Sequence, residues 1–473
     1  MESPVVWDDS VDVVVVGAGF AGLAAAIEAA GCGASVLVLE KMAAPGGNSI
    51  ISDGGIAVPG NPIQERLGIQ DSPEFLQADM LKAGQGLNHP ALVRVVAEGA
   101  LETFEWSRDY LGVEYLDRLD IFGGHSLPRC LTAAGKTGAT IIRRMLEKIR
   151  DLDVKIRFRS RLIRLVEAAE ARSVAGVEIL DGWDLKDAST GEHRFLEARG
   201  GVVLATGGFG ADLRFRTLQD PRLGPEIGTT NKPFSSSEAM REALRIGAAP
   251  VHLSHIQLGP WASPDETGYG TAPGFADYIV FQYGIVVDPR TGRRFVDELA
   301  DRKIISDGML ALGHPAVGFA DSRAVEVSGW SIEPGIAKGV VKSFSSLEDL
   351  ALAYGIPVEP FLESVGRFNS SFDEGRDLEF GKPLLPGAGP LKHPPFHGVR
   401  LWPKVHYTMG GLGINADAAV LDLEGRPVGG LFAAGEVTGG VHGACRLGSC
   451  SITECLVLGR VAGRSAASGC IAE

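Results

Sequence analysis

The chain has 473 residues, of which 45% are hydrophobic and 22% charged, which is typical of a globular protein but too long for a single hydrophobic core. Its formal net charge of −14 argues against nucleic acid as a partner, because phosphate groups bind to basic surfaces. Six cysteines without metal-ligand spacing, no basic leader and no apolar run of eighteen residues predict a cytoplasmic protein with neither a metal site nor a membrane segment.

The first predicted elements form a βαβ unit. A run of β-branched residues at 11–16 enters a turn with glycines at Gly17, Gly19 and Gly22, a small-residue helix follows, and a second apolar strand ends at Glu40. In such a unit the first glycine makes the tight turn, the second lets the backbone approach a pyrophosphate, and the third lets helix and strand pack closely. The acid can accept a hydrogen bond from a ribose hydroxyl. A glycine-rich turn can also bind nothing, but strand, helix and acid together predict dinucleotide binding.

Glycine pairs and periodic segments follow this unit. The pairs at 46–47 and 54–55, beside small polar residues, predict backbone that lies flat against a ligand. The hydrophobic periodicity then predicts helices over 73–112 (with a second segment from Pro90) and 139–150, strands over 154–166 and 173–180, and a polar hairpin over 181–198.

A second glycine turn, Thr206-Gly207-Gly208, ends a buried strand that starts at Gly201. Alone it could be a tight strand exit, but beside the first motif it predicts a second contact with the dinucleotide. From about 215 to 385, proline, aromatic and polar residues are commoner and the strand–helix alternation is weaker, which predicts an inserted domain. The glycine-rich pattern returns at His406, and a last helix over about 451–467 is predicted to complete the nucleotide-binding domain.

The ordered set of motifs resembles the soluble fumarate-reductase flavoprotein family, with its succinate dehydrogenase, urocanate-reductase and 3-ketosteroid dehydrogenase relatives. The matching segments are 17–22, 40, 46–49, 54–55, 205–208, 435–436 and 446–448. The resemblance implies an α/β fold: a Rossmann-like FAD-binding domain (1–214 and 386–473) with an inserted α+β capping domain (215–385). It also implies FAD, and because no histidine lies at 46–49, non-covalent FAD is expected.

The resemblance also supplies a set of expected cofactor contacts. They are Gly17, Gly19, Gly22, Glu40, Lys41, Gly47, Asn48, Ser49, Gly54, Gly55, Ala205, Thr206, Gly207, Gly435, Glu436, Ser451 and Ile452. The N-terminus of the last helix, near 449–452, would direct backbone N–H groups at flavin N1 and C2=O and so stabilise the reduced, anionic flavin. His442, beside Gly443, is expected to contact the flavin or its loop.

Three residues match the family's reductase chemistry, in which hydride passes between flavin N5 and one carbon of a C=C bond and a proton passes to the other carbon. By resemblance, Arg446 clamps the substrate carboxylate, His406 assists it, and Arg302 donates the proton. From the residues alone, Arg302 could be a surface residue paired with Asp301 or Glu298, and His406 an ordinary strand histidine.

Departures from the family pattern concern the substrate. The histidine that grips a second carboxylate in fumarate-type members corresponds to Gly259, and the family's Thr-Glu pair falls near Asp277. The sequence therefore predicts a roomier and less cationic far end of the pocket, and an α,β-unsaturated monoacid with a bulky tail as substrate rather than fumarate. Asp277 could bind that tail, relay protons to Arg302 or be a solvated loop acid.

Two alternatives stay open. A 3-ketosteroid-type dehydrogenase would act next to a ketone through tyrosines, for which Tyr278 and Tyr407 are the candidates, although two arginines argue against a neutral steroid. The other alternative is a flavin-binding protein without catalysis. No second nucleotide motif for NAD(P)H is evident, so a separate electron donor or acceptor is expected as a partner, beside a small-molecule unsaturated acid or ketone.

Overall fold

The computed structural model describes residues 5–168 and 173–471. Its strands are β1 (Asp9–Val16), β2 (Val36–Glu40), β3 (Gly55–Ala57), β4 (Cys130–Thr132), β5 (Lys155–Phe158), β6 (Ser160–Glu167), β7 (Val174–Asp181), β8 (Glu192–Leu204), β9 (Pro250–Val251), β10 (Ile256–Gly259), β11 (Ile285–Asp288), β12 (Arg293–Arg294), β13 (Ala316–Asp321), β14 (Lys342–Phe344), β15 (Phe396–Leu401), β16 (Lys404–Thr408), β17 (Gly411–Leu412), β18 (Ala419–Leu421) and β19 (Pro427–Ala433). Its α-helices are α1 (Phe20–Gly31), α2 (Pro62–Leu67), α3 (Pro73–Ala83), α4 (Pro90–Glu105), α5 (Gly138–Asp151), α6 (Leu213–Gln219), α7 (Glu238–Arg245), α8 (Ala272–Phe275), α9 (Phe281–Tyr283), α10 (Arg302–Leu312), α11 (Ser322–Ser328), α12 (Glu333–Ala337), α13 (Leu347–Tyr354), α14 (Val358–Glu374) and α15 (Cys450–Ile471).

The larger sheet has the strand order β18-β19-β8-β1-β2-β5, and β7 joins it through β8 while pairing with β6. Strands β19, β8, β1, β2 and β5 run parallel. The valines of β1 from Val13 to Val16 are buried, as expected for a parallel strand covered on both faces. Because carboxyl ends of parallel strands meet at one edge, the turns after β1 and β8 lie side by side: Ala205 N–H donates to Val16 O at 2.8 Å.

Helices α1 and α15 pack closely on one face of this sheet. A Cβ added at Gly459 would lie 2.5 Å from Ala21 O, and one at Gly463 would lie 2.2 Å from Ala25 O, so the two helices touch at backbone level. Strand β19 pairs with β8, and α15 follows it along the chain. The prediction that a C-terminal strand and helix complete the unit begun at residue 11 is therefore confirmed.

A second sheet, with the order β12-β11-β13-β15-β14, is antiparallel. Its own hydrophobic cluster joins Ile285, Phe319 and Phe396 to Phe361 and Phe368 of α14. The strands of this sheet span residues 285–401. One of them, β15, lies beyond the expected boundary at 385 and pairs with both β13 and β14. The division of the chain at 214 and 385 stays a prediction.

Most predicted elements appear close to their expected places, including α3, α4, α5 and the strands β5 to β7. The predicted hairpin joins β7 to β8, with Asp181 opposite Glu192. The sequence was wrong to separate residues 192–198 from the buried strand after them, because β8 continues unbroken through Gly201. Gly201, where the buried strand was predicted to start, is instead a kink within β8, since it has φ +149° and the pairing with β1 shifts there.

In the ranges that the structure describes, no helix combines the length and the apolar character needed to cross a membrane.

Candidate active site

A first cavity lies at the carboxyl edge of the larger sheet, above the turns after β1 and β8. Gly17 has φ +109°, and a Cβ there would lie 2.4 Å from Ala205 O. A Cβ at Gly22 would lie 1.8 Å from Gly17 O, so only glycine lets α1 start this close to the strand. The start of α1 lines the cavity, and a helix N-terminus is suited to bind a pyrophosphate. One of its N–H groups, that of Phe20, donates to Ser49 Oγ at 3.1 Å.

Glu40 ends β2 at this cavity and is buried. Its carboxylate accepts hydrogen bonds from Ala18 N–H at 3.0 Å and Met42 N–H at 2.9 Å, while burial raises its pKa. Each oxygen keeps a lone pair for a ribose hydroxyl. Beside it, Lys41 Nζ donates to Ser236 Oγ at 3.0 Å and lies 3.4 Å from Glu238.

A second cavity continues from the first and reaches the inserted part of the chain. The two cavities share the lining residues Phe20, Asn48, Ser49, Glu436 and Cys455. Burial raises the pKa of Glu436 to about 7, although Thr408 N–H donates to its carboxylate at 2.9 Å. An elongated group such as FAD can therefore extend from the βαβ turn into the second cavity.

The expected cofactor contacts divide between these cavities. The first is lined by Gly17, Gly19, Glu40, Lys41, Gly47, Asn48, Ser49, Ala205, Thr206, Gly207, Gly435 and Glu436, and the second adds Gly55, Ser451 and Ile452. Gly22 and Gly54 line neither cavity, and a side chain at either position would clash with neighbouring backbone. Gly54 has φ +78°, and a Cβ there would lie 3.0 Å from the backbone of Thr137. Ser449, directly before α15, has φ +62° and lines the second cavity, where its hydroxyl can bind a cofactor.

Arg446 lies on the wall of the second cavity, and only 3% of the residue is exposed. Its Nη1 donates to Leu447 O at 2.8 Å and its Nε has no partner among the described residues. The guanidinium lies 4.8 Å from the centre of the Tyr407 ring, and the Arg446 backbone N–H donates to Gln257 Oε1 at 2.8 Å. A fixed, partly unsatisfied guanidinium of this kind is suited to bind a carboxylate with two hydrogen bonds.

His406 lies in β16 beside this arginine, with its Nδ1 2.9 Å from Thr230 Oγ1. Burial lowers the pKa of His406 well below its usual range, and the charges of Arg446 and Arg302 lower it further. The imidazole is therefore neutral, and Thr230 fixes one of its nitrogens. The other nitrogen is left for a ligand, since His406 lines the cavity.

Arg302 is the first residue of α10, and its Nη2 donates to Asp277 Oδ2 at 3.1 Å. The surface ion-pair interpretation of this arginine is wrong. Asp301 is occupied as the N-cap of α10, accepting from Lys303 N–H at 2.9 Å, and Glu298 pairs with Arg294 at 2.8 Å.

Asp277 stands in a single π-helical turn, Ala276–Val280, that carries it into the cavity. Burial raises its pKa to about 6, although the charges of Arg302 and Arg446 lower it. The interpretation of Asp277 as a solvated loop acid is therefore wrong, because its side chain is only 12% exposed and is paired.

The space that Gly259 leaves at the expected far end of the pocket is filled by an aromatic side chain. A Cβ at Gly259 would lie 2.9 Å from Cζ2 of Trp261, so the glycine makes room for an indole that is 1% exposed. Trp261 packs edge-on against His406, with ring centres 4.7 Å apart, and tilts against Tyr269 at 5.3 Å. The far end of the pocket is therefore lined by aromatic rings, and its lower positive charge compared with the fumarate-type pattern stays a prediction.

Some features of the site were missed or misplaced by sequence reasoning. His442 does not reach the cavity; its Nε2 lies 2.9 Å from Glu454. Asp53 lines the second cavity with no role assigned from sequence, although an acid inside a glycine-rich segment was a signal. Thr230, the partner of His406, lies 176 residues before it, and no sequence pattern joins them.

Residues 12–452 match the model of the FAD-binding domain family, and the chain belongs to that family. It is 41% identical over 469 residues to the acrylate reductase flavoprotein subunit of Shewanella woodyi, covering 97% of this chain and 91% of that relative. It is 34% identical over 466 residues to the urocanate reductase of Eggerthella lenta, covering 97% and 75%. The solved open conformation of a flavocytochrome c3 fumarate reductase superposes with a TM-score of 0.76 at 30% identity, covering 98% of this chain and 79% of that one.

These matches confirm the predicted family, the Rossmann-like α/β fold and FAD as the cofactor. The protein is an FAD-dependent oxidoreductase of the class that acts on CH–CH bonds.

Replacing Glu40 with glutamine is expected to weaken FAD binding by about tenfold to a hundredfold, because a charged hydrogen bond to ribose contributes about 1.5–3 kcal/mol. The NH2 group of the glutamine would also face the N–H group of Ala18 or Met42, so that one hydrogen-bond donor would meet another. Titrating deflavinated protein with FAD and following flavin fluorescence measures the change. Glu28→Gln, an acid of α1 that pairs with Arg460 away from both cavities, is the control. Equal FAD affinities for the two variants would contradict the role of Glu40.

Proposed function

We propose that this enzyme reduces the C=C bond of an α,β-unsaturated monocarboxylate rather than of fumarate. The observation that carries the proposal is the number of unpaired cations among the residues that line the second cavity, whose acids are Asp53, Asp277 and Glu436. Arg302 is paired with Asp277, and His406 is neutral. Among the described lining residues, this leaves Arg446 as the cation without a carboxylate partner. One unpaired cation can bind one substrate carboxylate.

In this proposal Arg446 binds the carboxylate through its Nε and Nη groups, as the planar guanidinium geometry favours. The Tyr407 ring beneath it and Gln257 at its backbone hold the arginine in place. His406, with Nδ1 at the Thr230 hydroxyl, holds a proton on its second nitrogen and donates it to the same carboxylate as a hydrogen bond. Both groups stabilise negative charge that develops on the carboxylate during reduction.

FAD, held without a covalent bond because no histidine stands at 46–49, supplies hydride chemistry when bound. The chain supplies the proton. Arg302 donates it to the carbon that does not receive hydride, and Asp277, 3.1 Å away, returns a proton to the guanidinium. Arg302 is largely buried, with its side chain 11% exposed, and it lies close enough to Arg446 for its charge to lower the pKa of Arg446. Trp261 and Tyr269 exclude water from this side.

The pH dependence of turnover follows from Asp277. Its pKa of about 6 means that it carries a proton below that pH and loses it above. Proton supply to Arg302 needs the protonated form, so kcat for reduction is expected to fall as the pH rises above about 6. Measuring kcat between about pH 5 and 9 tests this. The Asp277→Asn substitution is expected to remove the fall in kcat above about pH 6, together with most of the turnover. The same fall in kcat in the Asp277→Asn variant would contradict the assignment of the pH dependence to Asp277.

The tail of the substrate is expected to point toward an outer cavity that adjoins the second one. The two share Ile51, Ser52, Asp53 and Tyr269. The outer cavity is bordered by aromatic side chains, with the rings of Tyr278 and Trp330 stacked 3.6 Å apart, and by Lys136 over Trp330 at 4.7 Å. These surroundings support an aromatic or otherwise bulky tail.

A substrate panel tests the proposal. Holoenzyme with an artificial one-electron donor is assayed with acrylate, a cinnamate-type acid, urocanate and fumarate, each compared by kcat/KM. We expect the monoacids to be reduced and fumarate to be poor. Fumarate as the best substrate would contradict the charge count, and acrylate far above the aromatic acids would contradict the bulky tail. The electron donor in the cell is proposed to be a separate protein or carrier.

Two contacts weaken the ketosteroid alternative. The Tyr278 hydroxyl donates to Asp53 at 2.6 Å, and the Tyr407 hydroxyl donates to Glu454 at 2.7 Å. Neither proton is free for a ketone oxygen. The buried charge of Arg446 also has no counterpart in a neutral steroid.

A further inference from the structure

Asp53 lies on the wall between the two adjoining cavities, and neither the proposed carboxylate binding nor the proposed proton transfer uses it. It lines both cavities, whereas Arg446 and His406 line the inner one alone. A ligand whose carboxylate lies at Arg446 and whose other end extends toward the outer cavity therefore reaches Asp53 and Tyr269.

The carboxylate of Asp53 is held in one position by two donors. Its Oδ2 accepts the Tyr278 hydroxyl at 2.6 Å, and its Oδ1 accepts the Gly55 N–H at 3.0 Å. Stacking of Tyr278 on Trp330 at 3.6 Å fixes the first donor. Both oxygens therefore already accept a hydrogen bond from the protein. In the described part of the chain, Asp53 forms no ion pair, so no cation neutralises it directly.

The groups around Asp53 leave this end of the cavity negative. Its charge raises the pKa values of Asp277 and Tyr269, which shows that its field crosses the cavity. The nearby cation Arg302 is engaged by Asp277, and Arg446 lies on the side where the substrate carboxylate is proposed to bind. A second carboxylate on the substrate would thus meet one anion and one ion pair, and no unpaired cation other than Arg446 among the described residues that line the second cavity. Lys136 lines only the outer cavity, where its Nζ donates to Gly329 O at 2.7 Å.

We infer that Asp53 is a specificity-determining residue, whose fixed negative charge rejects a second carboxylate and admits acids whose far end is neutral or donates hydrogen bonds. This inference rests on the proposed function and adds to it. The charge count explains why one carboxylate binds, and Asp53 supplies the repulsion that excludes a dicarboxylate of similar size. Discrimination by an introduced repulsion is a general route to specificity.

The test compares Asp53→Asn with wild type and with two matched controls. Asp53→Glu keeps the charge, and Tyr278→Phe removes the hydroxyl donor while keeping the ring on Trp330. For each holoenzyme, the kcat/KM of fumarate is divided by that of acrylate, and the inhibition constant of succinate is divided by that of propionate. In Asp53→Asn the first ratio is expected to rise, and the second to fall, by about tenfold or more, since both changes favour the diacid. Both controls are expected to keep the wild-type ratios.

Each outcome has a definite meaning. A smaller change in Asp53→Asn, while wild type reduces acrylate, overturns the inference and leaves the proposed function standing. Wild type that reduces neither acid overturns the proposed function itself. If Asp53→Asn fails to fold, Asp53→Ser takes its place with the same expected ratios. A changed flavin reduction potential with unchanged ratios also overturns the inference, because Asp53 would then act on the cofactor.

Discussion

Arg446→Lys is expected to lower kcat/KM for the unsaturated acid by about a thousandfold or more while FAD stays bound. Lysine keeps the positive charge but cannot form two parallel hydrogen bonds to a carboxylate. Two charge-assisted hydrogen bonds at about 1.5–3 kcal/mol each correspond to losses between about a hundredfold and ten-thousandfold. The lysine also loses the stacking of a flat guanidinium over the Tyr407 ring, which now lies 4.8 Å from it.

Steady-state kinetics and the ratio of flavin to protein absorbance measure the two parts of this expectation. Arg464→Lys is the matched control, because Arg464 lies on α15, is 43% exposed at its side chain and pairs with Glu28 far from the substrate cavity. It is expected to keep wild-type kinetics. An Arg446→Lys variant with near-normal kcat/KM would show that the carboxylate is bound elsewhere.

Arg302→Ala is expected to reduce kcat by about a thousandfold, since a positioned proton donor contributes between about a hundredfold and ten-thousandfold. The variant also leaves Asp277 buried without its partner, so its pKa, already raised to about 6, is expected to rise further. The substrate carboxylate binds at Arg446, so substrate affinity is expected to change less than kcat.

Lys303→Ala is the control for this substitution. Lys303 is the next residue on α10, is 44% exposed at its side chain and pairs with Asp307, away from the cavity. Both variants are expected to keep FAD, which a spectrum of the purified protein shows directly. An Arg302→Ala enzyme with substantial turnover would end the assignment of Arg302 as proton donor.

The nucleotide-binding half of the fold could be predicted because its signals are local. The buried valines of β1, the glycines of the turn and Glu40 at the end of β2 all lie within one short βαβ unit. The need for glycine at each of these positions follows from the geometry of that single unit. The helix periodicity of α3 to α5 was equally local.

The details of the substrate cavity could not be predicted in the same way, because they depend on contacts between distant segments. The hydrogen bond between Thr230 and His406 joins positions 176 residues apart. The pairing of Asp53 with Tyr278 joins positions 225 residues apart. Resemblance supplied Arg302, His406 and Arg446, and the structure places all three on one cavity, while their catalytic roles stay predictions.

The most direct test of the central claim is a single-turnover experiment. Anaerobic, fully reduced holoenzyme is mixed in a stopped-flow instrument with either acrylate or fumarate, and the return of the oxidised-flavin absorbance is followed. The account predicts that the monoacid reoxidises the flavin faster than fumarate by roughly a hundredfold, because one unpaired cation serves one carboxylate. Equal or faster reoxidation by fumarate would contradict it.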